Sequence, residues 1–167
     1  MASSSTSLSL PSSSSTHPWK YDVFLSFRGE DTRQSFTSHL HAALCRNGIN
    51  TFKDDQLRRE KKISPALVQA IEESRFSIII LSENYASSSW CLEELTKILE
   101  CVKVRGHEPL PVFFNVDPSH VGKQKGSFAE AFARHEQVYR EKMEEVVKWR
   151  KALTEVATIS GWDSRNR

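Results

Sequence analysis

Apolar residues arrive along this chain in two rhythms. The first is a set of short, nearly unbroken runs: YDVFLSF (21–27), INTF (49–52), RFSIIILS (75–82) and PLPVFFNV (109–116). Their β-branched and aromatic content predicts buried strands. The second rhythm has a helical period. SFTSHLHAALCRNG (35–48) places Phe36, Leu40, Ala43 and Leu44 on one stripe, with Gly48 as a stop. Ser64-Pro65 opens a second helix, Ser as cap and Pro in the first turn, with Leu67, Val68 and Ile71 as its buried side. Further helices are predicted over about 88–104, 126–136 and 139–159. The last carries Val146, Trp149, Leu153 and Val156 on one side, with Gly161 as terminator. RGEDTR (28–33) reads as a turn. KDDQLRREKK (53–62) reads as a charged loop, either solvated or a lid over a ligand rim.

Strand, helix, strand, helix implies right-handed crossovers and an α/β fold with a parallel sheet wrapped on both faces. Four strands are well marked, and a weaker fifth is placed near 157–160. Ligands of such sheets bind at the carboxyl ends of the strands. Here those ends lead into Phe27-Arg28-Gly29, the loop after Phe52, Ser82–Ser89 and Asn115–Pro118.

The segment SSSWCLEELTKIL (87–99) lies at that rim. Cys91, Leu92, Leu95, Ile98, Leu99 and Val102 form the apolar stripe of its helix. At about 100° per residue, Glu93 points away from the stripe and Glu94 sits on its flank. Trp90, four residues before Glu94, shares that flank at what reads as an exposed helix start. Truncating either glutamate is therefore expected to cost little stability. Two acids near a helix start also suit the positive end of its dipole, without any further role.

Composition narrows the classes. The 167 residues are enough for one domain, which at this size buries roughly 70% of its unfolded surface and needs no disulfide or metal. A formal net charge of +2 with interleaved signs gives no basic face, so nucleic acid is not a favoured partner. Three cysteines without a CxxC pair, and six scattered histidines, read as reduced thiols and no metal site. The apolar runs are strand-sized, so no membrane span is expected. Nine serines fall in the first fifteen residues. Residues 1–18 read as a disordered leader; a plastid transit peptide shares the composition, but the segment has no Arg and no amphipathic pattern. GKQKGS (122–127) lacks the GxxxxGK[ST] phosphate-loop spacing, no GxGxxG follows the first strand, and no GxSxG elbow occurs.

Taken together, YDVFLSFRGEDTR, SFTSHLHAAL, SIIILSENYASSSWCLEEL and VFFNVDPSHVGKQKGSF strongly resemble the TIR domain of plant intracellular disease-resistance receptors, in collinear order over about 20–162. The resemblance implies a flavodoxin-like three-layer fold with a five-stranded parallel sheet. It implies domain limits of 19–162, with 163–167 beginning a linker to nucleotide-binding and leucine-rich-repeat parts. It implies cleavage of NAD⁺ or NADP⁺ at the nicotinamide–ribose bond, with the dinucleotide as substrate and no cofactor or metal. Glu94 would be catalytic, and Arg28, Gly29, Arg58 and Trp90 would bind substrate, Trp90 by stacking. Self-association would use Ser38-His39 on the first helix and Gly161 near the end, with other TIR domains as further partners. The family places such chains in the cytoplasm, with the nucleus as a second compartment. The family loop LxRG is replaced by Leu57-Arg58-Arg59-Glu60, where a glutamate adopts positive φ poorly and brings negative charge toward the phosphates. The competing function is a catalytically silent homotypic adaptor, whose product is the oligomer itself.

Overall fold

A computed structural model describes residues 19–54 and 63–165. The leader, and Arg58 and Glu60 of the charged loop, lie outside the described residues.

Five parallel strands form one sheet: β1 (Tyr21–Phe27), β2 (Thr51–Lys53), β3 (Ser74–Leu81), β4 (Glu108–Phe113) and β5 (Trp162–Asp163). Their order is β2-β1-β3-β4-β5, so the chain steps outward once and then crosses back over its first strand. That reversal sends the helices to opposite faces. On one face α2 (Phe36–Arg46) lays Phe36, Leu40 and Leu44 over Val23, Leu25, Ile78, Ile80 and Val112. The other face carries α3 (Pro65–Glu72), α4 (Ser89–Arg105), α6 (Ser127–Val138) and α7 (Met143–Val156), around Phe24, Ile79, Leu81, Leu92, Leu95, Ile98, Phe132 and Leu153. Alternate residues of β1 and β3 thus feed two cores, which is why both strands read as unbroken apolar runs.

α4 is the central helix, packed against α3, α7, β1 and β4. Ser88 caps it by accepting from the Cys91 N–H at 3.1 Å. Gly106, at φ +72°, closes it in the left-handed conformation that glycine adopts without strain.

Several expectations need correction. RGEDTR is not a plain turn: Gly29–Thr32 forms a one-turn helix, α1. β4 stops at Phe113 rather than at Val116, and Asp117 caps a short helix, α5 (Pro118–Lys123), in what reads as the loop after the strand. The helix expected over 139–159 is a 3₁₀ turn at Arg140–Lys142 followed by α7. The fifth strand lies beyond Gly161 rather than before it. α7 has already ended at Val156, so Gly161 is not its terminator. A Cβ on Gly161 would lie 2.1 Å from the Pro111 carbonyl oxygen, so glycine is what lets β5 approach β4. Order also passes the expected boundary at 162. Asn115 N–H donates to Ser164 Oγ at 2.8 Å, and Arg165 pairs with Asp163 and Asp117.

Two buried histidines pin the layers. His107 Nδ1–H donates to the Ser74 carbonyl at 2.7 Å, and its Nε2 accepts from Ser77 Oγ at 2.6 Å. His135 donates from Nε2 to the Ala86 carbonyl at 2.7 Å. Burial lowers the pKa of both, against the opposing effect of these backbone bonds. The unfolded chain therefore binds protons that the folded chain resists. Stability should be complete above the unfolded histidine pKa of about 6.5 and fall as pH drops below it, by up to about 1.4 kcal/mol per pH unit per histidine. The urea midpoint is expected to decline from pH 7 to pH 5, and the double substitution His107→Gln/His135→Gln should flatten that decline. An unchanged slope would contradict this assignment.

Candidate functional site

The helix wheel put Glu94 on a flank, and the structure buries it. Only 4% of Glu94 is exposed, against 6% of Trp90. A flank position is buried here because α4 has neighbours on both sides as well as beneath it. The expected exposed tryptophan at the helix start is thus a buried one.

Both carboxylate oxygens are engaged. Ser26 Oγ donates to Oε1 at 2.8 Å, and Trp90 Nε1–H donates to Oε2 at 3.0 Å. The second bond is the direct product of i, i+4 stacking. Ser26 Oγ also lies 2.7 Å from the Tyr85 hydroxyl, which donates toward the Cys91 carbonyl at 3.1 Å. Tyr85 belongs to the 3₁₀ turn Tyr85–Ser87 that feeds α4. Burial first, and then the Cys91 and Glu94 charges, raise the Tyr85 pKa; burial and the Glu94 charge raise that of the Cys91 thiol. Both groups are therefore neutral near neutral pH.

Glu94 lies at the wall of an open cleft of about 150 Å³ above the carboxyl ends of β1 and β2. Arg28, Gly29, Arg33, Asp54 and Trp90 are among its lining residues. Arg28 Nη2 pairs with Glu30 at 2.8 Å. Arg33 spans the cleft, its Nη1 donating to the Asp54 carbonyl at 3.1 Å and its guanidinium 5.0 Å from the Phe27 ring centroid. A Cβ on Gly29 would meet Arg33 Nη2 at 2.9 Å, so glycine there makes room for this guanidinium.

The loops are clamped from outside. Asp31 accepts from Ser82 Oγ at 2.6 Å, from the Asn84 N–H at 2.9 Å and from Asn84 Nδ2 at 3.2 Å. It thereby ties α1 to the loop after β3. α6 holds the 3₁₀ turn through His135, through Arg134 to Ser87 Oγ at 3.1 Å, and through Ser127 to the Glu83 carbonyl at 2.8 Å.

Of the expected ligand-binding residues, Arg28, Gly29, Trp90 and Glu94 come together in the cleft, while Arg58 lies outside the described residues. The stacking platform expected of Trp90 is small, because little of the ring is exposed; the side chain serves visibly as a donor to Glu94. Glu93 is not simply solvent-facing. It is half-buried and accepts from Trp149 Nε1–H on α7 at 2.9 Å. Neither glutamate falls in the first turn of α4, so the helix-dipole explanation is weaker than these specific bonds. Ser38 and His39 are exposed on α2, away from the cleft. Gly161 is exposed but structurally committed, as above. Sequence reasoning missed Ser26, Tyr85, Asp31 and Arg33. A serine inside the apolar run VFLSF carried the signal for the first, since a buried hydroxyl requires a partner. Among the described residues no cluster suits a metal, and no helix is long and apolar enough to cross a membrane.

A doubly wound parallel sheet with a clamped carboxylate beside a cleft at its strand ends is the place where α/β folds put small-ligand sites. The chain matches the TIR domain family over residues 20–167 and belongs to it. It is similar to disease resistance protein RPV1 of Vitis rotundifolia, with 57% identity over 161 residues, covering 96% of this chain and 11% of that protein. Against TMV resistance protein N of Nicotiana glutinosa the identity is 52% over 160 residues, covering 95% of this chain and 14% of the other. The chain thus spans 11% to 14% of the length of these relatives. Among solved structures, the TIR domains of the activated Roq1 resistosome superpose with a TM-score of 0.83 at 54% identity, covering 88% of this chain and 89% of that one.

The contact between Glu93 and Trp149 can be tested alone. Glu93→Ala strands a buried indole N–H and should cost about 1–3 kcal/mol in urea unfolding. A change under about 0.5 kcal/mol would return Glu93 to the solvent-facing role expected from the wheel.

Proposed function

We propose that this domain cleaves NAD⁺ at the nicotinamide–ribose bond as the signalling part of a plant immune receptor, and that self-association switches it on. The observation that carries the reading is Glu94, a carboxylate fixed at both oxygens beside a cleft that also holds Arg28 and Arg33. Nicotinamide in NAD⁺ is already cationic and leaves neutral, so no second carboxyl is needed to protonate it, unlike a sugar ether. One ionised carboxylate, held in advance, stabilises an oxocarbenium-like transition state and orients the ribose hydroxyls. Guanidinium forks suit the pyrophosphate. Relatives named for disease resistance, and a structural neighbour taken from an assembled resistosome, support the receptor context and a homotypic partner. The exposed Ser38-His39 pair on α2 offers one contact surface.

A second reading is a silent adaptor that oligomerises without turnover. It needs only a contact surface, and the exposed Ser38 and His39 on α2 lie away from the cleft. The two readings part on nicotinamide release at high protein concentration.

Truncating Glu94 to alanine would remove the acceptor that Ser26 and Trp90 share inside the fold and cost stability, contrary to the expectation from the wheel. Glu94→Gln keeps the shape and an acceptor oxygen, and is the cleaner probe. It should reduce nicotinamide release by roughly 10²-fold or more, with the melting temperature and self-association near those of the parent. Parent-like release from this variant would leave the adaptor reading in place. His39→Ala should lower both the light-scattering mass at high concentration and the specific rate; unchanged values would remove the α2 surface from the assembly.

A further inference from the structure

We propose that Ser26 and Tyr85 are positioning residues that set the protonation state of Glu94, through a hydroxyl chain one proton short when Glu94 is ionised. The inference follows from counting protons. An ionised carboxylate only accepts, so Ser26 gives its single proton to Glu94 Oε1. The single Tyr85 proton must then serve two acceptors, Ser26 Oγ at 2.7 Å and the Cys91 carbonyl at 3.1 Å. That makes three contacts for two protons. A proton on Glu94 completes the set: Glu94 donates to Ser26, Ser26 to Tyr85, and Tyr85 to the Cys91 carbonyl. No heavy atom has to move. Ser26 and Tyr85 are both fully buried, so bulk water does not compete for these contacts.

The chain thereby makes Glu94 a ready proton acceptor. In the proposed cleavage, which this consequence rests on, the water oxygen bonds to the anomeric carbon. The carbon–nitrogen bond breaks, its electron pair leaving on nicotinamide. One water proton passes to Glu94 and then to solvent, which balances the step. The same chain holds the carboxylate at a fixed angle through Oε1 while Trp90 holds Oε2.

Other charges face this carboxylate. Arg28, Glu30, Arg33 and Asp54 line the cleft, and Asp31 lies behind the Arg28-Gly29 turn. Tyr85 and Cys91 are held neutral by burial. None of these charges is altered by substitution at Ser26 or Tyr85, so a difference between variants isolates the hydroxyl chain.

The two hydroxyls act in opposite directions. Ser26→Ala removes a donor that favours the ionised carboxylate more than the neutral one, so the Glu94 pKa should rise by about one pH unit. Tyr85→Phe leaves the Ser26 donation to ionised Glu94 in place. It removes the acceptor that Ser26 needs once Glu94 is protonated, so the pKa should fall. A role limited to packing would move neither.

The test is a pH titration of the intact chain labelled with ¹⁵N at tryptophan. The Trp90 indole N–H donates to Glu94 and reports its protonation directly; its resonance is assigned by single Trp→Phe substitutions at Trp19, Trp149 and Trp162. The midpoint should shift upward in Ser26→Ala and downward in Tyr85→Phe, and the acid limb of nicotinamide release should shift with it. Shifts in the same direction, or none, would overturn the proposal. Should Ser26→Ala not fold, Tyr85→Phe decides alone, since an unshifted or raised midpoint contradicts the proton count. The indole titration needs no turnover. A chain that releases no nicotinamide but shows the opposed shifts keeps the hydroxyl chain and loses the cleavage reading; unopposed shifts with normal release do the reverse.

Discussion

A carboxylate buried between a helix and a sheet is expensive unless its oxygens are met by donors. Glu94 is met from two independent elements. Trp90 comes from the preceding turn of its own helix, and Ser26 comes from the carboxyl end of the first strand. The strand-to-helix distance, the start of α4 and the rotamer of Trp90 must all be correct for both bonds to form. Much of the remaining structure can be understood as what holds that geometry. Ser88 fixes where α4 begins, Tyr85 braces Ser26, and Asp31 ties the turn after β1 to the turn before α4. Burial of this kind is a poor route to stability, since an apolar residue of similar volume does as well or better at less risk. It is consistent with a group retained for what it does.

The parallel topology supplies the rest. Because the chain reverses direction after β2, the carboxyl ends of β1 and β2 open beside the start of α4. The cleft collects side chains from α1, from the end of β2 and from α4, none of which is close to the others in sequence. Arg33 closes part of this space by reaching from α1 to the backbone at Asp54. That bond ties the end of α1 to the end of β2 at the edge of the cleft.

The strands were legible because a sheet buried on both faces leaves unbroken apolar runs, and the major helices because their stripes are regular. β5 was not legible. It has two residues, one of them half-exposed, and it exists because Gly161 allows the chain to press against Pro111. α5 was hidden because six residues carry too little periodicity, although Asp117-Pro118 is a cap followed by proline in the first turn. At the site, the pairing of Trp90 with Glu94 followed from helical spacing alone. The wheel could not reveal that α7 covers the opposite flank and turns Glu93 into a partner for Trp149. The serine in VFLSF signalled a buried hydroxyl but not its partners: the contacts of Ser26 with Glu94 and with Tyr85 span 68 and 59 residues of sequence. No local pattern encodes such contacts.

The central claim is that Glu94 faces the reacting bond of a dinucleotide seated in this cleft. The most direct measurement is a crystal structure with a hydrolysis-resistant NAD⁺ analogue bound. The account predicts the nicotinamide-side ribose with its hydroxyls within hydrogen-bonding distance of the Glu94 carboxylate, and the pyrophosphate toward Arg28 and Arg33. An analogue seated elsewhere, or bound in the cleft with its ribose turned away from Glu94, would contradict it.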